Sequence, residues 1–357
     1  MITVLAGGVG AARYLRGLCR VVDPTTVTTI VNTGDDAVMH GLSISPDLDT
    51  IVYTLAEAID PERGWGLAGE TWTALGALHR FASVRPAGSR AAQTWFGLGD
   101  QDLATHLYRT ARLAEGAPLH QVSDEIARAW GLELSVIPMT NATVSTIVDV
   151  IDEGELSFQE YFVGRRHSVP IRAVRFAGAA SATPAPGVID ALRLAETIVI
   201  APSNPIVSIG PIRAINGIDE ALAERRDRVV GISPIVAGAA LKGPADRMLV
   251  ELGHEASVVG VARLYAPICS TLVIDYADAH LAAAVEAQGM RCIVTNTIMR
   301  SPEIAGQLAQ ITVDHAAIDR ATVDRAAVNQ AAVNRATVNH AVYDAALGHA
   351  PTRGGTR

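Results

Sequence analysis

The sequence predicts an α/β protein with a doubly wound, mostly parallel Rossmann-like sheet and a helical insertion covering the active-site edge. Residues 2–6 form a fully apolar, β-branched run, as expected of a central parallel strand buried on both faces. The glycine turn GGVG at residues 7–10 follows it and leads into a helix of about residues 11–21. A second apolar strand at residues 27–31 completes a strand, turn, helix, strand order, which indicates a right-handed βαβ unit.

The segments after the second strand change from helical to strand patterns. Four segments have helical spacing: LDTIVYTLAEAI, ETWTALGALHRF, DLATHLYRTARLAEG and SDEIARAWG. They predict a helical insertion at about residues 55–130, with Ser123 as a helix N-cap and Gly131 at a helix C-terminus. Strands are then predicted at LSVIPM, TIVDVI, LSFQEYFV, IRAVRF, ETIVIAPS, RVVGISP, STLVID and RCIVTNT. Two of them run into Ser-, Asn-, Pro- and Gly-containing loops, where open α/β sheets bind ligands.

The last part of the chain differs from the rest. Residues 1–310 are predicted to form one domain, whereas residues 311–357 contain the repeated units VDHAA, IDRAT, VDRAA, VNQAA, VNRAT and VNHAV. A five-residue period advances roughly 140° around an α-helix and reverses faces in a strand, so neither element gains one apolar side. We therefore expect this tail to be disordered or loosely ordered and dispensable for function.

Composition excludes several classes of function. The chain has 357 residues, of which 49% are hydrophobic and 18% charged, and its formal net charge is -8. The acidic balance argues against nucleic acid as a partner, because binders of the phosphate backbone need basic patches. Three distant cysteines indicate thiols of a reducing compartment. The N-terminal apolar run is too short for a signal peptide, and no run could span a membrane, so a cytoplasmic location is expected.

An acidic segment carries the strongest chemical signal. VNTGDDAVMHGLSISPDLDTIVY places Asp35, Asp36, Asp47 and Asp49 within fifteen positions, shortly after the glycine turn. A glycine cradle attracts a phosphate and carboxylates repel one, unless a divalent cation lies between them. Asp35 and Asp47 are therefore predicted Mg²⁺ ligands, and Asp49 would bind an acceptor hydroxyl. Two alternatives remain: Asp35 or Asp36 accepting ribose hydroxyls in a dinucleotide binder, and Asp47 merely capping a helix.

Other segments supply groups for phosphate and nucleotide binding. Glycines allow the backbone to approach a phosphate at a helix N-terminus, and Arg13 would add a cation one turn into that helix. Ser-Asn-Pro and Ser-Ile-Gly at a later strand end offer hydroxyl, amide and backbone donors, and Lys242 would meet a phosphate as a point charge. A structural turn and a solvated lysine are the alternatives. The predicted phosphate and nucleotide residues are Gly7, Gly8, Gly10, Arg13, Ser203, Asn204, Ser208, Gly210 and Lys242.

A third segment joins aromatics to glycines and acids, in WFGLGDQD. Trp95 and Phe96, beside Gly97, would flank a planar ligand, or else Trp95 belongs to the core. His106 is interpreted as a structural hydrogen-bonding residue rather than a base. The sequence has no Ser-His-Asp pattern, HExxH, Walker lysine or CxxC, which disfavours hydrolytic nucleophiles and zinc chemistry.

Taken together, these segments resemble the 2-phospholactate transferases of deazaflavin coenzyme F-420 biosynthesis. The resemblance runs in order from residue 2 to about residue 308 and includes ISPDLDT, LGDQDLATH and APSNPIVSIGPI. DPERGWG is similar to the actinobacterial branch, whose members resemble phosphoenolpyruvate transferases. Two departures are Ala11, where many members have glycine, and Gly97, where some carry a longer side chain. The repeat tail lies outside the family pattern.

The resemblance implies an Mg²⁺-dependent enzyme and a homodimer. A phosphoenolpyruvyl or 2-phospholactyl group would pass from a guanosine-diphosphate-linked donor to the ribityl hydroxyl of a deazaflavin alcohol, with release of GMP. Asp35 and Asp47 would hold the metal, Gly7–Gly10 and Ser203–Gly210 the guanosine diphosphate, and Asp49, with the Trp95–Gly97 segment, the deazaflavin. If the transfer needs a general base, Asp49 or Asp36 is the expected one.

Two other functions remain as alternatives at this stage. One is a non-catalytic, nucleotide- or UDP-sugar-binding regulator of a related family that shares the GGxG opening. The other, an NAD-dependent oxidoreductase, is weakened by Arg13, where dinucleotide folds prefer Gly or Ala, and by the surplus of carboxylates. No residue distinguishes an enolpyruvyl from a lactyl donor.

Overall fold

The computed structural model describes residues 1–89 and 91–314, and fourteen strands occur there. The strands are β1 (Ile2–Ala6), β2 (Val27–Val31), β3 (Ala37–Met39), β4 (Leu42–Ile44), β5 (Ser135–Pro138), β6 (Ser145–Val150), β7 (Gly154–Ser157), β8 (Ile171–Ala177), β9 (Thr197–Ile200), β10 (Val229–Ile232), β11 (Ile235–Val236), β12 (Ala239–Ala240), β13 (Thr271–Asp275) and β14 (Arg291–Thr295). The predicted first and second strands have the observed bounds.

The α-helices flank and connect these strands. They are α1 (Gly8–Leu18), α2 (Pro46–Leu55), α3 (Thr73–Ala82), α4 (Asp102–Ala114), α5 (Leu119–Ala129), α6 (Val188–Leu194), α7 (Gly210–Arg213), α8 (Ile218–Glu224), α9 (Ala245–Glu251), α10 (Val258–Tyr265), α11 (Ala282–Glu286) and α12 at residues 302–314. No helix of the described residues is long and apolar enough to cross a membrane.

Seven strands form the central sheet, in the order β14-β13-β10-β9-β1-β2-β5. All neighbours in it are parallel, which confirms the predicted fold class. The chain moves outward from β1 through β2 to β5, then returns to β9 on the other side of β1. The order therefore reverses between β1 and β9, where open α/β sheets bind their ligands beyond the carboxyl ends of the strands.

The strand predicted at LSFQEYFV is largely wrong. β7 ends at Ser157, and residues Glu160–Gly164 form a π-helical turn. The Ser157 amide donates to Glu160 Oε2 at 3.1 Å, and the Glu160 amide donates to Ser157 Oγ at 3.3 Å. This reciprocal pair is a capping box, which starts a helical turn, and Phe158 and Tyr161 pack below it in an apolar cluster.

The four predicted helical segments all contain helices, but one start is misplaced. Helix α5 begins at Leu119, after Pro118, so the predicted N-cap Ser123 lies inside it. The Ser123 hydroxyl donates to the Leu119 carbonyl oxygen at 2.8 Å, as a serine within a helix can. Gly131 follows the helix with a φ of 74°, in the left-handed conformation expected of a helix end.

Residues Met1–Val313 form one compact unit. The domain boundary at residue 310 stays a prediction. The repeat tail lies outside the described residues from residue 315 onward.

Candidate functional site

The site lies at the reversal of strand order, where the loop after β1 meets the loop after β9. A Cβ atom placed on Gly7 would lie 2.8 Å from Ser208 Cβ, and one on Gly10 would lie 2.2 Å from the Pro202 carbonyl oxygen. The Ser203 hydroxyl donates to the Gly7 carbonyl oxygen at 2.8 Å and joins the two loops. Glycine is therefore required for close approach at the start of α1, where the Gly8 amide donates to the Asp47 carboxylate.

Asp47 lies directly beside this glycine turn. Its Oδ2 would be 2.9 Å from a Cβ on Gly7, and it stands in the first turn of α2. Asn32, just after β2, donates from Nδ2 to Asp47 Oδ2 at 2.9 Å and accepts from the Gly34 amide at 2.8 Å. The structure thus brings the β2 loop, the start of α2 and the glycine turn together.

Asp35 and Asp47 form a buried acidic pair. Burial and the neighbouring Asp47 carboxylate raise the pKa of Asp35 well above its usual range, and burial raises the pKa of Asp47 to about 6. Asp35 Oδ1 is buried and has no hydrogen-bond partner among the described residues. An unpaired carboxylate oxygen inside a protein is costly, and a cation between the pair would remove that cost.

This donor set suits a hard divalent cation. Mg²⁺ is bound by one or two carboxylates, with water and substrate phosphate oxygens completing its coordination. The pair offers two carboxylates beside a glycine cradle. The residues present therefore fit the predicted metal.

Asp36 is half-buried and differs in its contacts. The Ser45 hydroxyl donates to Asp36 Oδ2 at 2.7 Å, whereas Oδ1 has no partner among the described residues. Burial raises the pKa of Asp36 to about 8. Of the two predicted general bases, Asp36 is the one with an unoccupied oxygen.

Asp49 faces helix α4 and is held by Arg109. The Arg109 Nη1 atom donates to Asp49 Oδ2 at 3.1 Å, and Nη2 makes a second contact with Oδ1. Arg109 is only 2% exposed, so this is a buried, two-point ion pair. Burial would lower the pKa of Arg109, but Asp49 outweighs it and the net shift is upward.

A hydrogen-bonded network extends from this pair. His106 Nδ1 lies 3.8 Å from Asp49 Oδ2, and His106 Nε2 lies 3.3 Å from Asp102 Oδ2. The Tyr53 hydroxyl donates to Asp102 Oδ1 at 2.7 Å. Burial would raise the pKa of Asp102, but His106 and Tyr53 lower it, and the net shift is downward.

Asp49, Asp102 and His106 also have the composition of a metal site, with ligand atoms within 4.8 Å of one another. Arg109 already supplies a positive charge to Asp49, which makes a second cation there unfavourable. We therefore interpret this group as a polar network that fixes Asp49.

Sequence reasoning missed Arg109 and Asp102. Asp102, His106 and Arg109 follow at spacings of four and three residues, which places them on one helix face, and that spacing could have revealed them. Their partner Asp49 lies about sixty positions away, and no local pattern indicates it.

Only some of the predicted residues in the loop after β9 contact the glycine turn. Ser203 and Ser208 contact the glycine turn, as described above. The Asn204 side chain forms a hydrogen bond within its own loop, where its Oδ1 accepts from the Ile206 amide at 2.9 Å. Gly210 starts α7, where a Cβ would lie 2.9 Å from the Phe176 ring.

Arg13 and Lys242 approach each other at the surface. Burial and the Arg13 guanidinium lower the pKa of Lys242. Within the described part of the chain neither side chain takes part in an ion pair. Two neighbouring cations without anionic partners favour the binding of an anion such as a phosphate.

The predicted aromatic pair lies against apolar side chains. The Trp95 and Phe96 rings meet edge to face at 6.0 Å, and both pack against a small cluster of Met39, Ile44 and Leu98. Gly97 contacts a tryptophan that the sequence analysis did not single out, because a Cβ on Gly97 would lie 2.9 Å from Trp65 Cη2.

Comparison with known proteins gives consistent results over most of the chain. The sequence pattern of the family described as 2-phospho-L-lactate transferase CofD matches residues 2–346. The expectation that the repeat tail lies outside the family pattern was therefore wrong, because the match extends through most of the tail. A phosphoenolpyruvate transferase of Kitasatospora aureofaciens is 42% identical over 314 residues, which cover 87% of this chain and 95% of that protein. A protein of the same name from Mycolicibacterium smegmatis is 38% identical over 331 residues, covering 89% and 99%.

A solved structure shares the fold. It is a member of the UPF0052 family from Bacillus halodurans, with a TM-score of 0.55 and 15% sequence identity, covering 87% of this chain and 98% of that one. At this identity the likeness concerns the fold alone.

Proposed function

The chain belongs to the 2-phospho-L-lactate transferase CofD family and is a transferase, and from this membership we propose a specific reaction. A phosphoenolpyruvyl group, or a 2-phospholactyl group, moves from a guanosine-diphosphate-linked donor to the ribityl hydroxyl of a 5-deazaflavin alcohol. GMP leaves, and the product is an intermediate of coenzyme F-420. The enolpyruvyl donor is favoured because the relatives at 38–42% identity are named phosphoenolpyruvate transferases.

One observation carries the proposal: Asp47, which neighbours the buried Asp35, lies directly against the glycine cradle. The Asp47 Oδ2 atom would be 2.9 Å from a Cβ on Gly7, so a phosphate bound by the cradle amides would meet the carboxylates. Such an arrangement binds phosphate only with a cation between the charges. Mg²⁺ bound by Asp35 and Asp47 would neutralise the charge that develops on the diphosphate during transfer.

The chain's own residues would position the two substrates. The amides at Gly7–Gly10, with Arg13 and Lys242, bind the donor diphosphate, and the Ser203–Gly210 loop borders the nucleoside. Arg109 holds Asp49 in place, and Asp49 accepts a hydrogen bond from the acceptor hydroxyl. Transfers of this kind depend mainly on positioning and charge neutralisation.

The bonds change in one in-line step. The acceptor hydroxyl oxygen attacks the phosphorus that bears the enolpyruvyl group, and the bond from that phosphorus to the GMP oxygen breaks. The hydroxyl proton leaves the acceptor, and Asp36 is the better candidate to take it. Asp49 is the poorer candidate because the Arg109 guanidinium occupies both of its carboxylate oxygens.

The regulator alternative has weaker support. The UPF0052 likeness extends only to the fold, whereas the transferases are similar in sequence over nearly their whole length. The predicted homodimer and cytoplasmic location rest on resemblance and composition and stay predictions.

The test is incubation with the deazaflavin alcohol, the guanosine-diphosphate-linked donor and Mg²⁺. Chromatography should show a new fluorescent anionic product together with GMP, and its mass would distinguish an enolpyruvyl from a lactyl group. Asp35→Ala and Asp47→Ala should abolish GMP release without unfolding the protein. Asp124→Ala, which changes an exposed carboxylate of α5, is the control and should leave the rate unchanged. Full activity of both site variants would contradict the metal assignment.

A further inference from the structure

A rigid loop stands beside the site, at residues 60–66. Asp60 Oδ1 accepts from the Glu62 and Arg63 amides at 2.9 and 2.8 Å, and the Asp60 amide donates to the Gly66 carbonyl oxygen at 3.0 Å. Gly64 and Gly66 have φ angles of 71° and 67°, a conformation that favours glycine. The two glycines flank Trp65, so this 60–66 loop presents one tryptophan from a fixed turn.

The Trp65 ring packs against Arg63 but remains partly exposed to solvent. The Arg63 Cζ atom lies 5.5 Å from the centre of the Trp65 ring and 5.2 Å from that of Trp72. Arg63 is itself fixed, since Nη2 lies 3.0 Å from Asp60 Oδ2 and donates to the Leu67 carbonyl oxygen at 3.0 Å. Trp65 nevertheless remains 45% exposed, which leaves ring surface free for a ligand.

The 60–66 loop connects both halves of the predicted site. On the donor side, a Cβ on Gly64 would lie 2.7 Å from Lys242 Nζ, beside the cation pair. On the acceptor side, a Cβ on Gly97 would lie 2.9 Å from Trp65 Cη2 and 3.3 Å from its Cζ3. Gly97 precedes α4, the helix whose Arg109 holds Asp49. The 60–66 loop therefore neighbours Lys242 at Gly64 and the segment that precedes α4 at Trp65.

The Trp65 ring occupies the space that a side chain at position 97 would need. Its φ angle is not in the left-handed region, so the backbone would accept an L-residue there. The obstacle is the ring itself, with Trp72 Cζ3 a further neighbour at 3.4 Å. A side chain at position 97 and a tryptophan at position 65 in its present place exclude each other.

We propose that Trp65 is the surface on which the planar ring of the acceptor stacks, and that Gly97 keeps that ring in place. The inference rests on the proposed function, because it takes the acceptor to be a flat heteroaromatic alcohol. An aromatic ring that packs against Arg63 and is 45% exposed suits offset stacking. Trp95 and Phe96, which pack on their own apolar cluster, then act as support for the Gly97 segment.

The test measures binding of the deazaflavin alcohol without donor, by calorimetry. Trp65→Ala should weaken binding about tenfold or more, while Trp65→Phe stays within about threefold because a flat ring remains. Phe81→Ala removes an exposed aromatic ring of α3 and serves as control with unchanged affinity. Binding of GDP should be unchanged in all three variants. Wild-type affinity in Trp65→Ala would overturn the inference.

A double-mutant cycle with Gly97 sharpens the result. Gly97→Ala should weaken acceptor binding in the wild-type background, because its methyl group displaces Trp65, but should add little in the Trp65→Ala background. Additive losses would overturn the proposed coupling. Wild-type protein that binds the alcohol but forms no product would contradict the proposed reaction, and the Trp65 comparison would still decide the inference. Failure of the wild type to bind the alcohol would overturn the inference itself.

Discussion

At the scale of single residues, the ion pair with Arg109 distinguishes Asp49 from the other three carboxylates of the acidic segment. Asp35 and Asp47 have no cationic partner within residues 1–89 and 91–314, and Asp47 faces the glycine turn, whereas Asp49 is neutralised by a buried guanidinium. The same sequence segment therefore supplies both the proposed cation site and the proposed hydrogen-bond acceptor. Asp36 stands between them, with one oxygen bound by Ser45.

Removing one member of the buried pair should cost much stability. We expect Arg109→Met or Asp49→Asn to lower the free energy of unfolding by about 3–5 kcal/mol, because each leaves a buried charge without its partner. The double variant should lose less than the sum of the two. Urea unfolding measures these changes.

The control is the exposed pair Arg128 and Asp124 on α5. Arg128→Met should cost no more than about 1 kcal/mol, since exposed ion pairs contribute little. Equal costs at the two pairs, or additive costs at the buried one, would contradict the account of Arg109.

The acidic group should make the cation-free protein pH-sensitive. The folded-state pKa values of Asp36 and Asp47, about 8 and about 6, exceed the ordinary value of 3.8. The folded state therefore holds more protons, so stability is highest near pH 4 and falls as the pH rises toward about 8.

Asp36→Asn should remove part of this fall. In EDTA the variant should melt at least about 4 °C above the wild type at pH 8 and at nearly the same temperature at pH 4. Calorimetric melting across this range provides the measurement. A wild-type Tm that rises between pH 4 and pH 8 would contradict the assigned direction.

At the residue level, predictions could be made where the signal was local. The grouping of Asp35 with Asp47 followed from charge beside a glycine turn, and the structure places the two carboxylates together. The Arg109 and Trp65 contacts were missed because each joins segments at least thirty positions apart. Packing, rather than any short motif, brings such residues together.

At the scale of elements, the loop after β1 depends on close backbone contact. Gly10→Ala would place a methyl carbon 2.2 Å from the Pro202 carbonyl oxygen, and backbone cannot move aside cheaply. We expect a loss of about 1–3 kcal/mol in the free energy of unfolding, together with weaker binding of GDP. Urea unfolding and calorimetry measure the two effects.

Gly76 in α3 offers the matched control. A Cβ there meets no atom within 4 Å, so Gly76→Ala should stabilise the helix by about 0.5–1 kcal/mol. If Gly10→Ala behaves like Gly76→Ala, the crevice is not packed as described.

Strands of the central sheet were the easiest elements to predict. β1 and β2 are runs of apolar residues and threonine, rich in β-branched side chains, with glycine or polar residues following them. The strand predicted at LSFQEYFV was wrong because apolar residues of a short helical turn can look like a strand, while the Ser157–Glu160 capping box was overlooked. Helix α5 starts earlier than predicted because proline at the residue before it outweighs a serine cap.

At the scale of the whole molecule, the order of strands determines where the site lies. A single βαβ unit at the N-terminus indicated the doubly wound fold, but the sequence could not show which later strand lies beside β1. The structure assigns β9, which brings the Ser203–Gly210 loop to the glycine turn. Pairing between strands so distant in sequence depends on the whole sheet.

The predicted dispensability of the repeat tail can be tested on a shortened chain. Residues 1–314 should retain the wild-type Tm within about 2 °C and the wild-type rate of GMP release, because the site residues all lie within this part. A shortened chain that fails to fold or to turn over would contradict this prediction.

The central claim is the division of the acidic segment between a cation and an acceptor. It is tested most directly by Mn²⁺ binding, followed by electron paramagnetic resonance, in Asp35→Asn, Asp47→Asn and Asp49→Asn, each checked for folding. We expect about one tightly bound ion in the wild type and in Asp49→Asn, and affinity reduced at least about tenfold in the other two. Undiminished binding in Asp35→Asn and Asp47→Asn, or an equal loss in Asp49→Asn, would contradict it.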